Sequence, residues 1–428
     1  MMNQARTCAA HPVLAMLAAV LIWMTPALAQ VPCRYTVEYI PNPPPCQFWD
    51  RFVGVTGISP NGRYVCGAIS DCNLGNYAVV VDTQPPGGGA MQMTVIPRPP
   101  GVTSMQATGV NDKMEVCGTM KLSPNLVARG FLWRNGQVTY LGVPDSAYWV
   151  EANAINNMTE ITGLWCCSPG NRAYLWRDGQ FTTLDLPLSE SVGFDIGENS
   201  QIVGYMNPYG VQCNNQIKCQ YEAFLWSISG AVSLGALPNG TAWARSIAPN
   251  GDVAGYGLVP DPNSPSGSSF RAFLRRNGQM LNLGLLPGAT SSAASSTNGL
   301  VTVGTCGLQN SSAAFVFANG AMYRLEELQP SPDLIIYTAH AIGDNGSIAA
   351  HAQVQIGGPH QGIILRPVWS PVGDINADCK VSVSDLLGVI NSWGACGNNP
   401  FCSADLNHDG VVNHLDLLIV IQHWGQQT

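Results

Sequence analysis

Ala173-Tyr174-Leu175-Trp176 and Ala223-Phe224-Leu225-Trp226 are two copies of one short apolar strand pattern, and its recurrence decides the fold. The others are Gly130-Phe131-Leu132-Trp133, Ala272-Phe273-Leu274-Arg275, Ala314-Phe315-Val316-Phe317 and, at the two ends, Ala78-Val79-Val80-Val81 and Gly362-Ile363-Ile364-Leu365. Measured at the fourth residue, the seven copies lie 52, 43, 50, 49, 42 and 48 residues apart. That period suits a four-stranded propeller blade rather than a shorter solenoid coil.

Outward from this core the same order of elements repeats. Ahead of it stand a strand, a polar turn and a second strand, as in Gly57-Ile58-Ser59-Pro60-Asn61-Gly62 leading to Val65-Cys66-Gly67, or Ile247-Ala248-Pro249-Asn250-Gly251 leading to Val253-Ala254-Gly255. Behind it, Asn135-Gly136, Asp178-Gly179, Asn277-Gly278 and Asn319-Gly320 tolerate the positive φ of a two-residue type I′ hairpin. Each unit therefore predicts four antiparallel strands. The seventh copy lacks a fourth strand, while Tyr35-Thr36-Val37-Glu38-Tyr39-Ile40 is an orphan strand ahead of the first unit. Pairing the two closes the ring and removes exposed sheet edges. The expectation is an all-β, seven-bladed propeller over residues 30–368.

Composition is consistent with an exported product. Residues 13–24 form an apolar run too short for a bilayer, and Ala27-Leu28-Ala29 presents small residues for signal-peptidase cleavage, so 1–29 is read as a signal peptide. An extracellular or cell-surface location follows, with no second apolar run to span a membrane. The remaining chain carries 18 basic and 27 acidic side chains, which excludes a nucleic-acid binder with its clustered basic patch. Thirteen cysteines remain after cleavage, so at least one lacks an intramolecular partner. Cys33 with Cys46, Cys66 with Cys72, Cys213 with Cys219 and Cys396 with Cys402 are close enough to bridge in an oxidising space, Cys117 is an alternative partner for Cys66, and Cys166-Cys167 reads as structural.

The copies ending in Ala-Phe-Leu-Trp, followed by Asn-Gly and Leu-Gly-x-Leu-Pro-Gly, resemble the HAF repeat of exported bacterial proteins over roughly residues 53–366. The resemblance implies location and fold more than chemistry.

After a linker at 369–373 the sequence changes character. Asp374, Asn376, Asp378, Ser382 and Asp385 occupy positions 1, 3, 5, 9 and 12 of a loop, and Asp405, Asn407, Asp409, Asn413 and Asp416 repeat that spacing 31 residues later. A hard cation needs several oxygens at short range, and this spacing wraps them around one centre, with the position-7 carbonyls of Lys380 and Val411 as further ligands. Two Ca²⁺ ions are expected. The second is expected to bind more tightly, because position 6 holds Gly410 there and Cys379 in the first loop, where a positive φ strains any residue with a Cβ. Each loop leads into a helical pattern, Leu386 to Trp393 and Leu417 to Trp424, capped by Gly394 and Gly425.

These paired half-EF-hands, with Asp at position 12, resemble a type I dockerin, making 374–428 a small all-α calcium-binding module. The resemblance implies a cohesin-like partner met by loop positions 10 and 11, here Val383-Ser384 and His414-Leu415.

Catalytic patterns are scarce. Histidines are absent from the first six repeats, and no nucleophile elbow, zinc helix or phosphate loop occurs. Glu151, Glu160, Asp195, Glu198 and Asp252 stand at strand ends or turns, but no spacing selects a glycosidase pair, so no catalytic residue is named. Trp133, Trp176 and Trp226 hold a fixed place in the repeat and read as core. Trp149, Trp165 and Trp243 fall outside it and are candidates for stacking on a ligand such as a polysaccharide. Two readings result: a secreted, non-catalytic binding or scaffolding propeller assembled or tethered through its calcium-dependent tail, or an enzyme or accessory protein of polysaccharide breakdown.

Overall fold

The computed structural model describes residues 32–428 apart from 44–53, 71–74, 145–146, 167–169, 187–189, 208–219, 239, 330, 355–357, 359 and 398–401. The signal-peptide reading therefore lies outside the described residues, as do Cys46, Cys72, Cys167, Cys213 and Cys219. Seven four-stranded antiparallel sheets follow one another along the chain. Blades 1 to 6 each take four consecutive strands, with innermost strands at Gly54–Ile58, Val102–Val110, Trp149–Ile155, Ser191–Ile196, Ala242–Ile247 and Ser291–Thr297. Blade 7 takes Leu334–Ile342, Ile348–Val354 and His360–Trp369, and its fourth strand is the N-terminal Pro32–Tyr39, paired from Pro32 opposite Trp369 to Tyr39 opposite Ile363. The orphan strand thus closes the ring as expected.

The repeat core supplies the packing. Phe131, Tyr174, Phe224, Phe273 and Phe315 are each wholly buried, and Trp133, Trp176 and Trp226 lie in the same inter-blade cores. Removing such a ring costs about 3–5 kcal/mol in transfer and cavity terms. The hairpin dipeptides adopt the positive φ pair their sequence demands, 50° and 78° at Asn135-Gly136 and 50° and 82° at Asp178-Gly179.

Another repeat residue has a steric reason. The glycine of the second strand lies beneath a carbonyl of the innermost strand, so a Cβ at Gly204 would stand 1.8 Å from the Val192 oxygen, with equivalent contacts at Gly67, Gly118, Gly163, Gly255 and Gly304. These approaches sit beside a register shift that leaves one residue unpaired, and every innermost strand has such a shift, those of blades 2 and 7 having two.

Cysteine pairing departs from expectation. Cys33 bonds Cys379, 346 residues away, and not Cys46. Proximity in sequence favoured the short loop, whereas closure of the ring carries the N-terminal strand to the far end of the chain. Cys66 and Cys117 are buried thiols bridged neither to each other nor elsewhere, each beside the hydroxyl of Thr56 or Thr108, and burial pushes both thiols up to about 12. Cys396–Cys402 forms as expected.

Helices α1 (Val383–Asn391) and α2 (His414–Gln422) complete the chain. Both stop two residues short of the tryptophans that the periodicity had included, leaving Trp393 and Trp424 exposed beyond them. The tail packs back on blade 7, where Thr428 donates through its hydroxyl to the Trp369 carbonyl (3.2 Å), while within the tail its amide donates to Cys379 O (3.2 Å).

Candidate functional site

In the tail, each loop organises itself around two buried carboxylates. Asp385, wholly buried, accepts from the amides of Ile375 (2.8 Å), Asn376 (3.3 Å) and Ser382 (2.8 Å). Asp374 accepts from Asp378 N (3.1 Å) and Cys379 N (2.8 Å). The second loop repeats the pattern: Asp416 accepts from Leu406, Asn407 and Asn413, and Asp405 from Asp409 and Gly410. Ser382 and Asn413 also cap α1 and α2, with Asp385 and Asp416 completing reciprocal capping boxes. The residues at positions 9 and 12 therefore start each helix as well as facing the loop. Burial and the neighbouring Asp385 charge hold the Asp374 carboxyl above its ordinary range.

The donors in each loop are all hard oxygens: two buried carboxylates, an exposed carboxylate, a carboxamide, a backbone carbonyl, and at position 9 the Ser382 hydroxyl or the Asn413 carboxamide. That set fits a calcium ion and neither a soft metal nor an anion. Position 6 is left-handed in both loops, φ 68° at Cys379 and 86° at Gly410, and at Cys379 the strained residue is the one cross-linked to the closing strand. Around the loops, Val383 (57%), Leu387 (49%), Ile390 (48%) and Trp393 (53%) on one side, and Leu415 (44%), Leu418 (48%), Ile421 (52%) and Trp424 (51%) on the other, expose apolar side chains. Ser384 and His414 are exposed beside them.

The second site is the propeller axis, where a cavity of about 280 Å³ is lined by the innermost strands and the turns that follow them. The residues left unpaired at the register shift nearest the turn are Thr56, Thr108, Asn153, Phe194, Arg245, Ser295 and His340, and all seven line the cavity, whereas Thr103 and Tyr337, unpaired at a second shift in blades 2 and 7, do not. Three of the seven stitch blades together. Thr56 Oγ1 donates to Ala107 O (2.8 Å), Thr108 Oγ1 to Ala152 O (2.8 Å) and Asn153 Nδ2 to Gly193 O (2.7 Å). Between blades 4 and 5 Asp195 does this work, accepting from Ile247 N (2.9 Å), and blade 7 reaches blade 1 where Val55 N donates to His351 Nε2 (2.8 Å).

Of the carboxylates named from sequence, Glu160 is buried against Arg177, Asp252 pairs with Arg276, and Glu151 is half-buried with its carboxyl raised by desolvation. Asp195 and Glu198 line the cavity. The tryptophan candidates separate. Trp149 (38% exposed) and Trp165 stand on adjacent strands of blade 3 but on opposite faces of the sheet, Trp149 opposite Cys166 and Trp165 opposite Val150, and Trp165 packs partly into the blade core. Trp243, in blade 5, stacks on Tyr256 (5.2 Å between centroids) within a run of rings from Phe270 through Tyr221 and Tyr205 to Phe194. The bulge ring was missed by sequence reasoning although a trace of it was present. Two residues before the turn isoleucine, as in Thr56-Gly57-Ile58, Asn153-Ala154-Ile155, Arg245-Ser246-Ile247 and His340-Ala341-Ile342, the repeat changes chemistry at one position.

Residues 372–424 match the model of the dockerin type I domain. Dockerin domains bind calcium and bind cohesins. No curated protein matches the chain. Among solved structures, the β-propeller domain of the Trilobed protease from Pyrococcus furiosus, described as having an open velcro topology, superposes with a TM-score of 0.51 at 8% identity, covering 75% of this chain and 94% of that one. The acylaminoacyl peptidase of Pyrococcus horikoshii gives a TM-score of 0.47 at 11% identity over 72% of this chain and 52% of that one. The first of these similarities shows the propeller fold. No helix among the described residues is long and apolar enough to cross a membrane.

Proposed function

We propose that this chain is a secreted or cell-surface binding and scaffolding propeller, fastened into a larger assembly when its C-terminal module docks on a cohesin-like partner in a calcium-dependent way. The doubled loop carries this reading: twelve-residue oxygen frames at 374–385 and 405–416, each leading into a helix with a row of exposed apolar side chains, Val383, Leu387 and Ile390 on one and Leu415, Leu418 and Ile421 on the other. Asp374, Asn376, Asp378, Lys380, Ser382 and Asp385 would hold one ion, and Asp405, Asn407, Asp409, Val411, Asn413 and Asp416 the other. Val383-Ser384 and His414-Leu415 are the recognition pairs. Because they differ, the module has one preferred docking orientation rather than two equivalent ones. The second loop binds calcium more tightly, its Gly410 meeting φ 86° without the strain Cys379 carries.

A cohesin capture assay with full-length protein in calcium and in chelator tests the reading. Capture is expected in calcium, with release on chelation. Val383→Asp combined with Leu415→Asp should abolish it while calcium stoichiometry stays at two. Retention after chelation, or capture by the double variant, refutes it.

A further inference from the structure

Two donors face the axial cavity with no acceptor among the described residues. Arg245 lies with its guanidinium 4.0 Å over the Phe194 ring and makes neither a hydrogen bond nor an ion pair to a described group. Its nearest carboxylate, Asp195, is already engaged by the amides of Ile196 (2.9 Å) and Ile247 (2.9 Å). A desolvated guanidinium lacking an acceptor is costly, and burial pulls its pKa down.

The second donor follows from a proton chain. Val55 N–H donates to His351 Nε2 (2.8 Å), which places the proton of the neutral His351 ring on Nδ1. His351 Nδ1–H then donates to His340 Nε2 (3.1 Å), so His340 carries its own proton on Nδ1, directed away from His351. Desolvation lowers both rings to about 4, so both are neutral at pH 7. His340 occupies the bulge of blade 7 and lines the same cavity as Arg245.

We propose that the axial cavity is a binding site for a small carboxylate-bearing ligand, held by the Arg245 guanidinium and the His340 Nδ1–H. Phe194, whose face carries the Arg245 guanidinium, holds that group in place at the cavity wall. The site's other acids set its limits. Both Glu198 oxygens accept from Asn157 N (3.1 Å each), while Asp344 stands exposed at the cavity wall. Two sources share this chemistry: a uronic acid, whose hydroxyls suit the polar lining residues Asn199, Ser295 and Ser296, and an amino acid, whose ammonium group suits Asp344. The inference names a ligand class for the propeller and so rests on the binding-propeller reading, but not on the docking tail.

The test is calorimetric titration of the full chain in calcium with D-glucuronate against D-glucose, and with phenylalanine against phenylalaninamide. Each pair differs at the carboxylate. Binding of either acid, with its neutral partner at least tenfold weaker, is expected, and the acid that binds identifies the source. Arg245→Gln should weaken that acid about tenfold to hundredfold. Arg245→Lys should weaken it less, since the charge stays but the planar fork is lost. Unchanged thermal unfolding and unchanged cohesin capture confirm that each variant is folded. Absence of binding by both acids, equal binding of acid and neutral partner, or full affinity in Arg245→Gln overturns the proposal, and cohesin capture by the same samples keeps that failure separate from failure of the docking reading.

Discussion

Removing the Cys33–Cys379 bond, by Cys33→Ser with Cys379→Ser, should loosen the propeller and its tail together. The bond joins residues 346 apart. In the chain-entropy model, a cross-link over so long a loop lowers the unfolded-state entropy by an amount worth about 6 kcal/mol, and native disulfides commonly deliver about 2–5 kcal/mol. Taking the measured range, and about 2–4 °C per kcal/mol for a large domain, unfolding should fall by roughly 5–15 °C. A second effect separates this cross-link from an ordinary staple. Cys379 is position 6 of the first calcium loop and Cys33 lies in the strand that closes blade 7. Calcium bound at a thousand times its dissociation constant adds about 4 kcal/mol to whatever unfolds with it. Calorimetry in calcium and in chelator should show the propeller transition moving with calcium in the native chain and ceasing to move in the double variant, where only the tail responds. An unfolding temperature within about 2 °C of the native chain, or a propeller transition that keeps its calcium dependence without the disulfide, would refute the coupling.

Two other outcomes follow from the blades. Gly204→Ala places a Cβ 1.8 Å from Val192 O, so it should destabilise by about 1–3 kcal/mol in denaturant unfolding, whereas Gly136→Ala, where nothing lies within 4 Å, should lose only what its φ of 78° demands. His340 and His351 are held neutral near a pKa of about 4, below the unfolded value, so the unfolded state takes up protons first as pH falls. Stability should therefore be full above about pH 6.5 and decline between 6.5 and 4 by at most about 1.4 kcal/mol per pH unit for each ring, a slope that His340→Asn reduces.

The blades were legible because a strand that must bury one aromatic residue per unit writes a period into the chain, and Phe131, Phe224 and Phe273 keep it. The calcium loops were legible because their ligands lie within twelve residues of one another. Neither condition holds for Cys33 and Cys379, whose encounter depends on the ring closing first, so nearest-neighbour spacing pointed to Cys46 instead. The axial site was obscured for another reason. Arg245 and His340 are 95 residues apart and occupy a position of the repeat whose chemistry changes from blade to blade, because a bulge residue answers to the cavity and not to the blade.

The attachment of the tail also decides how the molecule bears load. The tail leaves blade 7 after Trp369, and Trp369 pairs with Pro32, next to the cross-linked Cys33. Tension applied through a docked tail thus enters two adjacent strands at the same end, one through the peptide chain and one through sulfur. Both strands are drawn the same way, so the closing ladder is neither sheared nor peeled, and the pull is spread into the blade that completes the ring.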